Sequence, residues 1–222
     1  LEEMAAAAEK RGLEYLAITD HSKKVTVANG LDEDRLADQI DKIDELNKDL
    51  EGIRVLKSSE VDILRDGSLD LPSSILDRLD VCVIAVHSQF NLSEEDQTDR
   101  IIKAMAHPNT HILAHPTGRL INEREPYDVD VERLVRAARE KGCIMELNAS
   151  PHRLDLADNY CKMAKEMGVK IAISTDAHST DELNWMKYGV WQARRGWLEP
   201  DDVVNTKNLD DFLDLLADLK NT

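Results

Sequence analysis

The feature that most constrains this chain is the alternation of short apolar runs with stretches that have helical spacing. Residues 81–86 form a continuous apolar run, which is typical of a parallel strand covered on both faces. Residues 34–50 instead place apolar side chains at positions 36, 40, 43 and 46, the spacing of an amphipathic helix. The same alternation continues along the chain and predicts an α/β domain built on a parallel sheet.

We predict six strands, at residues 13–19, 53–63, 81–86, 111–114, 143–147 and 169–174. We predict helices at residues 2–11, 34–50, 71–79, 94–106, 131–141, 155–167, 181–187 and 209–219. No internal repeat, low-complexity segment or linker rich in proline and glycine interrupts this order. The pattern therefore predicts a single domain over residues 1–222.

Side chains of types that bind metal ions lie at or near the ends of the predicted strands. They are Asp20, His21, Glu60, His87, His115, Asp176 and His178, and the fifth strand leads into Glu146 and Asn148. Because the carboxyl ends of parallel strands meet at one edge of a sheet or barrel, we expect the active site there. Imidazole and carboxylate groups together favour Zn²⁺, Mn²⁺ or Fe²⁺ over Ca²⁺, and a set this large indicates more than one ion.

A histidine at the end of a strand is more often fixed by ordinary hydrogen bonds than bound to a metal. The prediction therefore depends on several strand ends converging, and not on any one residue. The remaining histidines lie elsewhere, because His107 precedes a proline in a loop, His111 starts its strand and His152 follows a proline. We predict that these three histidines do not bind metal.

Composition limits the partners of this chain. It has 28 Lys and Arg residues against 44 Asp and Glu residues, a formal net charge of −16, and no basic stripe. We therefore expect the chain alone to bind DNA weakly, unless divalent ions or a basic neighbouring domain supply positive charge.

No apolar run is long enough to span a membrane, and the first residues do not resemble a signal peptide. Three widely spaced cysteines argue against a disulfide framework and predict a cytoplasmic location.

Five short motifs follow one another along the chain. They are Thr19-Asp20-His21-Ser22, Glu60-Val61-Asp62, Val86-His87-Ser88, Ala114-His115-Pro116 and Thr175-Asp176-Ala177-His178. Their order and spacing resemble the polymerase-and-histidinol-phosphatase (PHP) family of metal-dependent phosphoesterases, over essentially the whole chain. Residues 87–91, 115–120, 146–156 and 193–198 narrow the similarity to the C-terminal PHP domain of bacterial family X DNA polymerases.

This resemblance implies a distorted (β/α)₇ TIM-like barrel with three divalent ions, Mn²⁺, Zn²⁺ or Fe²⁺, at its C-terminal rim. Carried over by position, Glu60 bridges two of the ions. His87 and His115 complete the first of these two sites, and Asp176 joins the second.

The third ion is implied to bind to His21 and His178, with Asp20 orienting a ligand without binding metal itself. One departure from the family matters here. The family opens with a strand that carries a His-x-His pattern, and this sequence begins after that point. We therefore expect an N-terminally truncated PHP domain, and fewer ions if that segment is absent.

The resemblance also implies that the chain hydrolyses phosphoesters. Glu60 and Asp176 are the implied catalytic carboxylates, and Arg119 is placed to clamp a phosphate oxygen with its planar guanidinium. Asn148 and Arg153 are weaker candidates for contacts with the substrate. A structural ion pair is an equal alternative for Arg119 and the favoured one for Arg153.

Three functions stay open at this point. The favoured one is a 3′→5′ exonuclease or DNA 3′-end processing module of a family X polymerase. Its substrates are DNA 3′ ends and its partners are N-terminal polymerase domains. Residues 147–156 and 193–198 favour this function. The alternatives are a histidinol-phosphate or other small-molecule phosphatase, and a catalytically silent PHP module with a structural role.

Overall fold

The computed structural model describes residues 1–219 and contains, over that range, six strands and eight α-helices. The strands are β1 (Tyr15–Ile18), β2 (Arg54–Asp62), β3 (Val81–Ala85), β4 (Ile112–Leu113), β5 (Ile144–Asn148) and β6 (Ile171–Ser174). The helices are α1 (Glu2–Glu9), α2 (Glu33–Asp49), α3 (Ser73–Leu76), α4 (Glu94–Met105), α5 (Val131–Lys141), α6 (Asp158–Glu166), α7 (Met186–Arg195) and α8 (Leu209–Leu219). Short 3₁₀ helices lie at Thr26–Ala28, Glu182–Trp185, Pro200–Asp202 and Val204–Thr206.

All six strands pair in parallel and in the order of the sequence, from β1 to β6. The sheet curls into a half-barrel, and helices separate successive strands along the chain. The predicted α/β, TIM-like fold is therefore confirmed. The parallel register brings the carboxyl ends of the strands to one rim, which is where a barrel of this kind carries its active site.

Helix caps explain where several of the helices begin. The Asp32 side chain accepts the backbone N–H of Arg35 at the start of α2, and Ser93 does the same for Asp96 at α4. At the other end of α5, Gly142 takes a left-handed backbone conformation that ends the helix. These local signals mark where α2 and α4 begin and where α5 ends.

Helix α8 packs at the interior of the half-barrel. Its Phe212 and Leu216 are buried against strand residues such as Val81 and Ile144, and the Phe212 ring stacks on Tyr15 with centroids 5.0 Å apart. This apolar layer supports the sheet from the inside, while a larger cluster fills the space between the strands and the outer helices.

A side chain forms hydrogen bonds with the backbone at the outer edge of β6. Asn205 accepts the backbone N–H of Ile173 at 3.0 Å and donates to its carbonyl at 2.8 Å, as a neighbouring strand would. Between β1 and β6 lies a cavity of about 1160 Å³, which reaches the rim at His21, Glu60 and Asp176. The rim residues therefore have room in front of them for a ligand.

The region after β6 differs from the prediction of a helix at 181–187. A 3₁₀ turn, Glu182–Trp185, leads directly into α7, which continues to Arg195. Gly189 lies inside α7, where a Cβ atom would approach Ile173 Cγ2 to 2.5 Å. Close packing on β6 thus explains why this position is a glycine. Because glycine lowers helix propensity, the sequence pattern did not predict the full length of α7.

No helix in the described range is both long enough and apolar enough to cross a bilayer. All three cysteines are buried, and none of them forms a disulfide within residues 1–219.

Candidate metal centre

Glu60 is the central residue of the site. It lies on β2, between β3, where it pairs with Val83, and the end of β1, where it pairs with His21. Its backbone N–H donates to the Asp20 carbonyl at 3.0 Å, so the strand register fixes where the carboxylate points. A buried carboxylate must find partners, because its desolvation costs several kcal/mol.

Two histidines supply those partners. Nε2 of His115 lies 2.9 Å from Glu60 Oε1, and Nδ1 of His21 lies 2.9 Å from Glu60 Oε2. Burial alone would raise the pKa of Glu60, but these histidines outweigh it and hold that pKa well below its usual range. The contact with Glu60 in turn raises the pKa of His21. Burial opposes a similar rise at His115, yet the hydrogen bond to Glu60 raises the pKa of that histidine as well.

His87, which follows β3, is held by a carboxylate on the neighbouring strand. Asp62 Oδ1 accepts the backbone N–H of His87 at 3.0 Å and lies 3.2 Å from the ring Nδ1. Because a carboxylate only accepts, this contact favours the proton on Nδ1, and in the neutral imidazole Nε2 then has a free lone pair. Nε2 is buried, makes no hydrogen bond to any residue in the described range, and lies 3.6 Å from Glu60 Oε1.

The residues after β6 close the other side of the site. Asp176 Oδ2 accepts the Asn148 side-chain amide at 3.0 Å and lies 3.5 Å from Arg153 Nε. Nδ1 of His178 lies 2.9 Å from the Asp176 carbonyl, and Nε2 of this exposed ring makes no hydrogen bond to a described residue. The rings of His178 and His21 have centroids 6.5 Å apart. His178 therefore lies next to the histidine that contacts Glu60.

Glu146 is a further carboxylate at the rim, on β5. Its Oε2 accepts the backbone N–H of His115 at 2.7 Å and so fixes the residue that carries the His115 ring. Burial raises the pKa of Glu146 to about 7, and the nearby charges of Asp176 and Glu60 act in the same direction.

Arg119 lies beside the loop that follows β5. Its Nε donates to the Arg153 carbonyl at 2.7 Å and its Nη2 donates to the Leu154 carbonyl. Two of its three nitrogens therefore shape the loop that carries Arg153. No hydrogen bond within residues 1–219 involves Nη1 of Arg119.

The structure thus brings together the six residues predicted as ligands, which come from five strand ends: His21, Glu60, His87, His115, Asp176 and His178. Asn148 lies beside Asp176, and Asp20 is exposed, with no side-chain hydrogen bond or ion pair in the described range. The three other histidines lie outside this cluster. His111 accepts the backbone N–H of Cys82 inside the sheet, His107 lies near Ser73, and His152 lies against Trp185.

Asp62 and Glu146 are the residues whose roles the sequence analysis missed. A usable signal existed, because side chains two positions apart on a strand share a face. Asp62 lies two residues after Glu60, and Glu146 lies two residues before Asn148.

The donor set fits a divalent metal ion. His21, Glu60 and His87 each offer one atom, and these atoms lie within 4.8 Å of one another. A buried imidazole lone pair that faces a carboxylate oxygen, as at His87 Nε2, is unfavourable unless a cation or proton lies nearby. Two imidazoles and a carboxylate match the ligand preferences of Zn²⁺, Mn²⁺ and Fe²⁺.

Several known proteins are similar in sequence to this chain. It is 44% identical to the DNA polymerase/3′-5′ exonuclease PolX of Bacillus subtilis (strain 168) over 211 residues, which are 95% of this chain and 37% of that protein. It is 33% identical to a probable phosphatase of Thermoanaerobacter sp. (strain X514), over 92% of this chain and 82% of that protein. A probable phosphatase of Caldicellulosiruptor saccharolyticus is 31% identical, over 97% of this chain and 88% of that protein. No protein-family model matches the chain.

The fold, the donor cluster and these relatives together define the class of protein, a metal-dependent phosphoesterase. Within that class, the chain belongs to the PHP family and is similar to the PHP region of family X DNA polymerases. Because the chain spans 37% of the Bacillus subtilis polymerase, the activity of that longer protein comes to this chain only as a proposal.

Proposed function

We propose that the chain is a 3′→5′ exonuclease or DNA 3′-end processing module that hydrolyses phosphodiesters. The observation that carries the proposal is the cluster of Glu60 with His21 and His87 at the rim, where the His87 Nε2 atom is buried and makes no hydrogen bond to any described residue. The choice of nucleic acid as substrate is supported by the 44% identity to a protein named as a polymerase and exonuclease. Polymerase domains are the partners that this relationship favours.

Each rim residue has a distinct task in this proposal. Divalent ions bound here would supply Lewis-acid activation of water and would neutralise charge on the phosphate oxygens. Glu60 and Asp176 provide the negative charge that binds those ions. His21, His87, His115 and His178 are the further ligands that we propose.

Positive charge for the phosphate comes from the loop after β5. The Arg153 Nη1 atom is buried and makes no hydrogen bond to any described residue, while its Nε lies near Asp176. We propose that Nη1 binds a non-bridging phosphate oxygen. Arg119 retains Nη1 for a second contact, and its hydrogen bonds hold the loop that positions Arg153. Asn148 acts on the substrate only through Asp176, because its amide is already engaged.

A small-molecule phosphatase is the second candidate. The chain covers 82% of a relative named as a probable phosphatase, so a protein of nearly this length is associated with that activity. Histidinol phosphate represents this class of substrate.

The two candidates are separated by one comparison. We expect the chain with Mn²⁺ to release nucleotide from a 3′-labelled oligonucleotide at least about tenfold faster than it releases phosphate from histidinol phosphate. Glu60→Gln should lower the rate by about 100-fold or more, because it removes the charge that binds the ions. His107→Ala serves as the control, since this histidine lies outside the cluster.

Two outcomes contradict the proposal. Preference for histidinol phosphate would identify a small-molecule phosphatase. No turnover of either substrate, together with no metal bound at stoichiometric protein concentration, would identify a catalytically silent module.

A further inference from the structure

All three tryptophans of this chain lie within residues 185–197, although aromatic residues make up only 4% of the sequence. Trp185 ends the 3₁₀ turn before α7, and Tyr188 and Trp191 follow at successive steps of three residues. Residues three apart are neighbours on a helix surface, about 4.5 Å apart along the axis. The Tyr188 and Trp191 rings are in contact, and Trp185 lies one step before them on the chain; we call these three residues the aromatic stripe.

The stripe is open to solvent at its outer end. Trp191 is 55% exposed, so more than half of this large aromatic side chain is open to solvent. Its ring packs edge-on against Tyr188, with centroids 5.6 Å apart. The rings are therefore held in place while one of them presents a broad apolar face.

The Trp185 end of the stripe lies beside the loop that carries Arg153. The Trp185 ring contacts the ring of His152 edge-on, with centroids 5.9 Å apart. His152 immediately precedes Arg153, whose guanidinium lies 3.5 Å from Asp176. A molecule that lay along the stripe would thus approach the loop that carries Arg153, the residue that we propose to bind phosphate.

Local charge favours an anion. Residues 185–198 contain no Asp or Glu and contain Lys187, Arg194 and Arg195, in a chain with a net charge of −16. The Lys187 Nζ lies 4.9 Å from the centroid of the Tyr188 ring. Arg195 is paired with Asp158, whereas Lys187 and Arg194 form no ion pair with any residue of the described range.

We propose that the aromatic stripe binds single-stranded nucleic acid and guides its 3′ end to the metal centre. Bases stack on successive aromatic rings whatever their sequence, and flanking cations contact the phosphates. The proposal rests on the function proposed above, and it names the form of substrate that this function takes. A protein partner is the alternative that the test below distinguishes, because aromatic residues and arginine are also enriched in protein interfaces.

Trp197 provides a matched control. It is 71% exposed and lies beyond the end of α7, where its carbonyl accepts the Lys165 side chain of α6. It is therefore an exposed tryptophan of the same segment that does not belong to the stripe.

The test measures binding without cleavage. The complete chain, kept metal-free with a chelator, is titrated against a 5′-fluorescein-labelled oligothymidylate and followed by fluorescence anisotropy. We expect Trp191→Ala to weaken binding about tenfold, Trp191→Phe to restore most of it, and Trp197→Ala to change it less than twofold. The unfolding temperature of each variant shows whether the fold is retained.

The outcomes separate the stripe from the proposed function. If the wild type cleaves DNA but Trp191→Ala binds the oligonucleotide as tightly as the wild type, the proposal that the stripe binds nucleic acid is wrong and the nuclease function stands. If the wild type binds through Trp191 but hydrolyses only histidinol phosphate, the nuclease function and the guiding of a 3′ end are wrong, and only nucleic-acid binding by the stripe stands. If Trp191→Ala disrupts self-association and leaves oligonucleotide binding unchanged, the stripe is a protein interface and the proposal is overturned.

Discussion

Asp62 gives the sharpest test of how the site is organised. Its Oδ1 accepts from the backbone N–H of His87 at 3.0 Å and lies 3.2 Å from the ring Nδ1. This arrangement keeps the proton on Nδ1 and leaves Nε2 to face Glu60. Asp62→Asn keeps an oxygen that can accept these hydrogen bonds but removes the negative charge that strengthens them.

The expected loss of metal affinity follows from the strength of the hydrogen bonds. Bonds to charged groups contribute about 1.5–3 kcal/mol and neutral ones about 0.5–1.5 kcal/mol, so the charge is worth roughly 1–1.5 kcal/mol. We therefore expect Asp62→Asn to weaken Zn²⁺ binding about tenfold. Asp62→Ala removes the acceptor as well and should weaken binding by about 10–100-fold.

The assay has two independent readouts. Competition with a chromophoric chelator gives the Zn²⁺ affinity of the metal-free chain, and ¹⁵N NMR of the histidine rings reports the tautomer of His87. We expect a single Nδ1-protonated form in the wild type and a mixture of tautomers in Asp62→Ala.

Asp80→Asn is the control for this experiment, because Asp80 also accepts a backbone N–H, that of Lys57 in the first half of β2. It should lower stability without changing Zn²⁺ affinity by more than about twofold. The reasoning is refuted if both Asp62 variants bind Zn²⁺ as the wild type does and the His87 tautomer is unchanged.

Three further predictions concern other groups. Burial raises the pKa of Glu146 to about 7, because the neutral carboxyl is favoured in the fold. The free energy of unfolding is therefore highest below the ordinary pKa of 4.5 and decreases as the pH rises from there to about 7. Glu146→Gln should therefore flatten the stability of the metal-free chain over that range and stabilise it by up to about 3 kcal/mol at pH 8, measured by thermal unfolding. Arg119→Ala, with metals still bound, should lower phosphoesterase activity about tenfold or more, and unchanged activity would remove Arg119 from the site. Burial raises the pKa of the Cys143 and Cys161 thiols to about 12, so a thiol reagent should react with them only after denaturant is added, and rapid reaction in the native state would contradict that burial.

Most of the fold could be predicted because each strand and helix carries its own local signal. The continuous apolar run at 81–86 and the charged, periodic segment at 34–50 closely match β3 and α2. The helix predicted at 181–187 was the exception, because Gly189 is required by packing against Ile173, a contact that no local pattern reveals. Tertiary packing, not helix propensity, decided that segment.

The site could be predicted only in part, for a related reason. The residues at strand ends were visible because parallel strands place their carboxyl ends together. The contact of Asp62 with His87 depends instead on the register between β2 and β3, which the sequence does not state. The same holds for Arg119, whose hydrogen bonds reach a loop more than thirty residues away.

Glu60 also shows how folding and metal binding are related in this chain. A buried carboxylate without partners would destabilise the barrel by several kcal/mol. Here His115 and His21 contact both of its oxygens, so the fold does not depend on metal to satisfy Glu60. The same atoms are the proposed metal ligands, and Glu60 raises the pKa of both histidines. Protons therefore compete with metal at this site, and binding must release them, so that metal affinity increases with pH until both histidines are neutral.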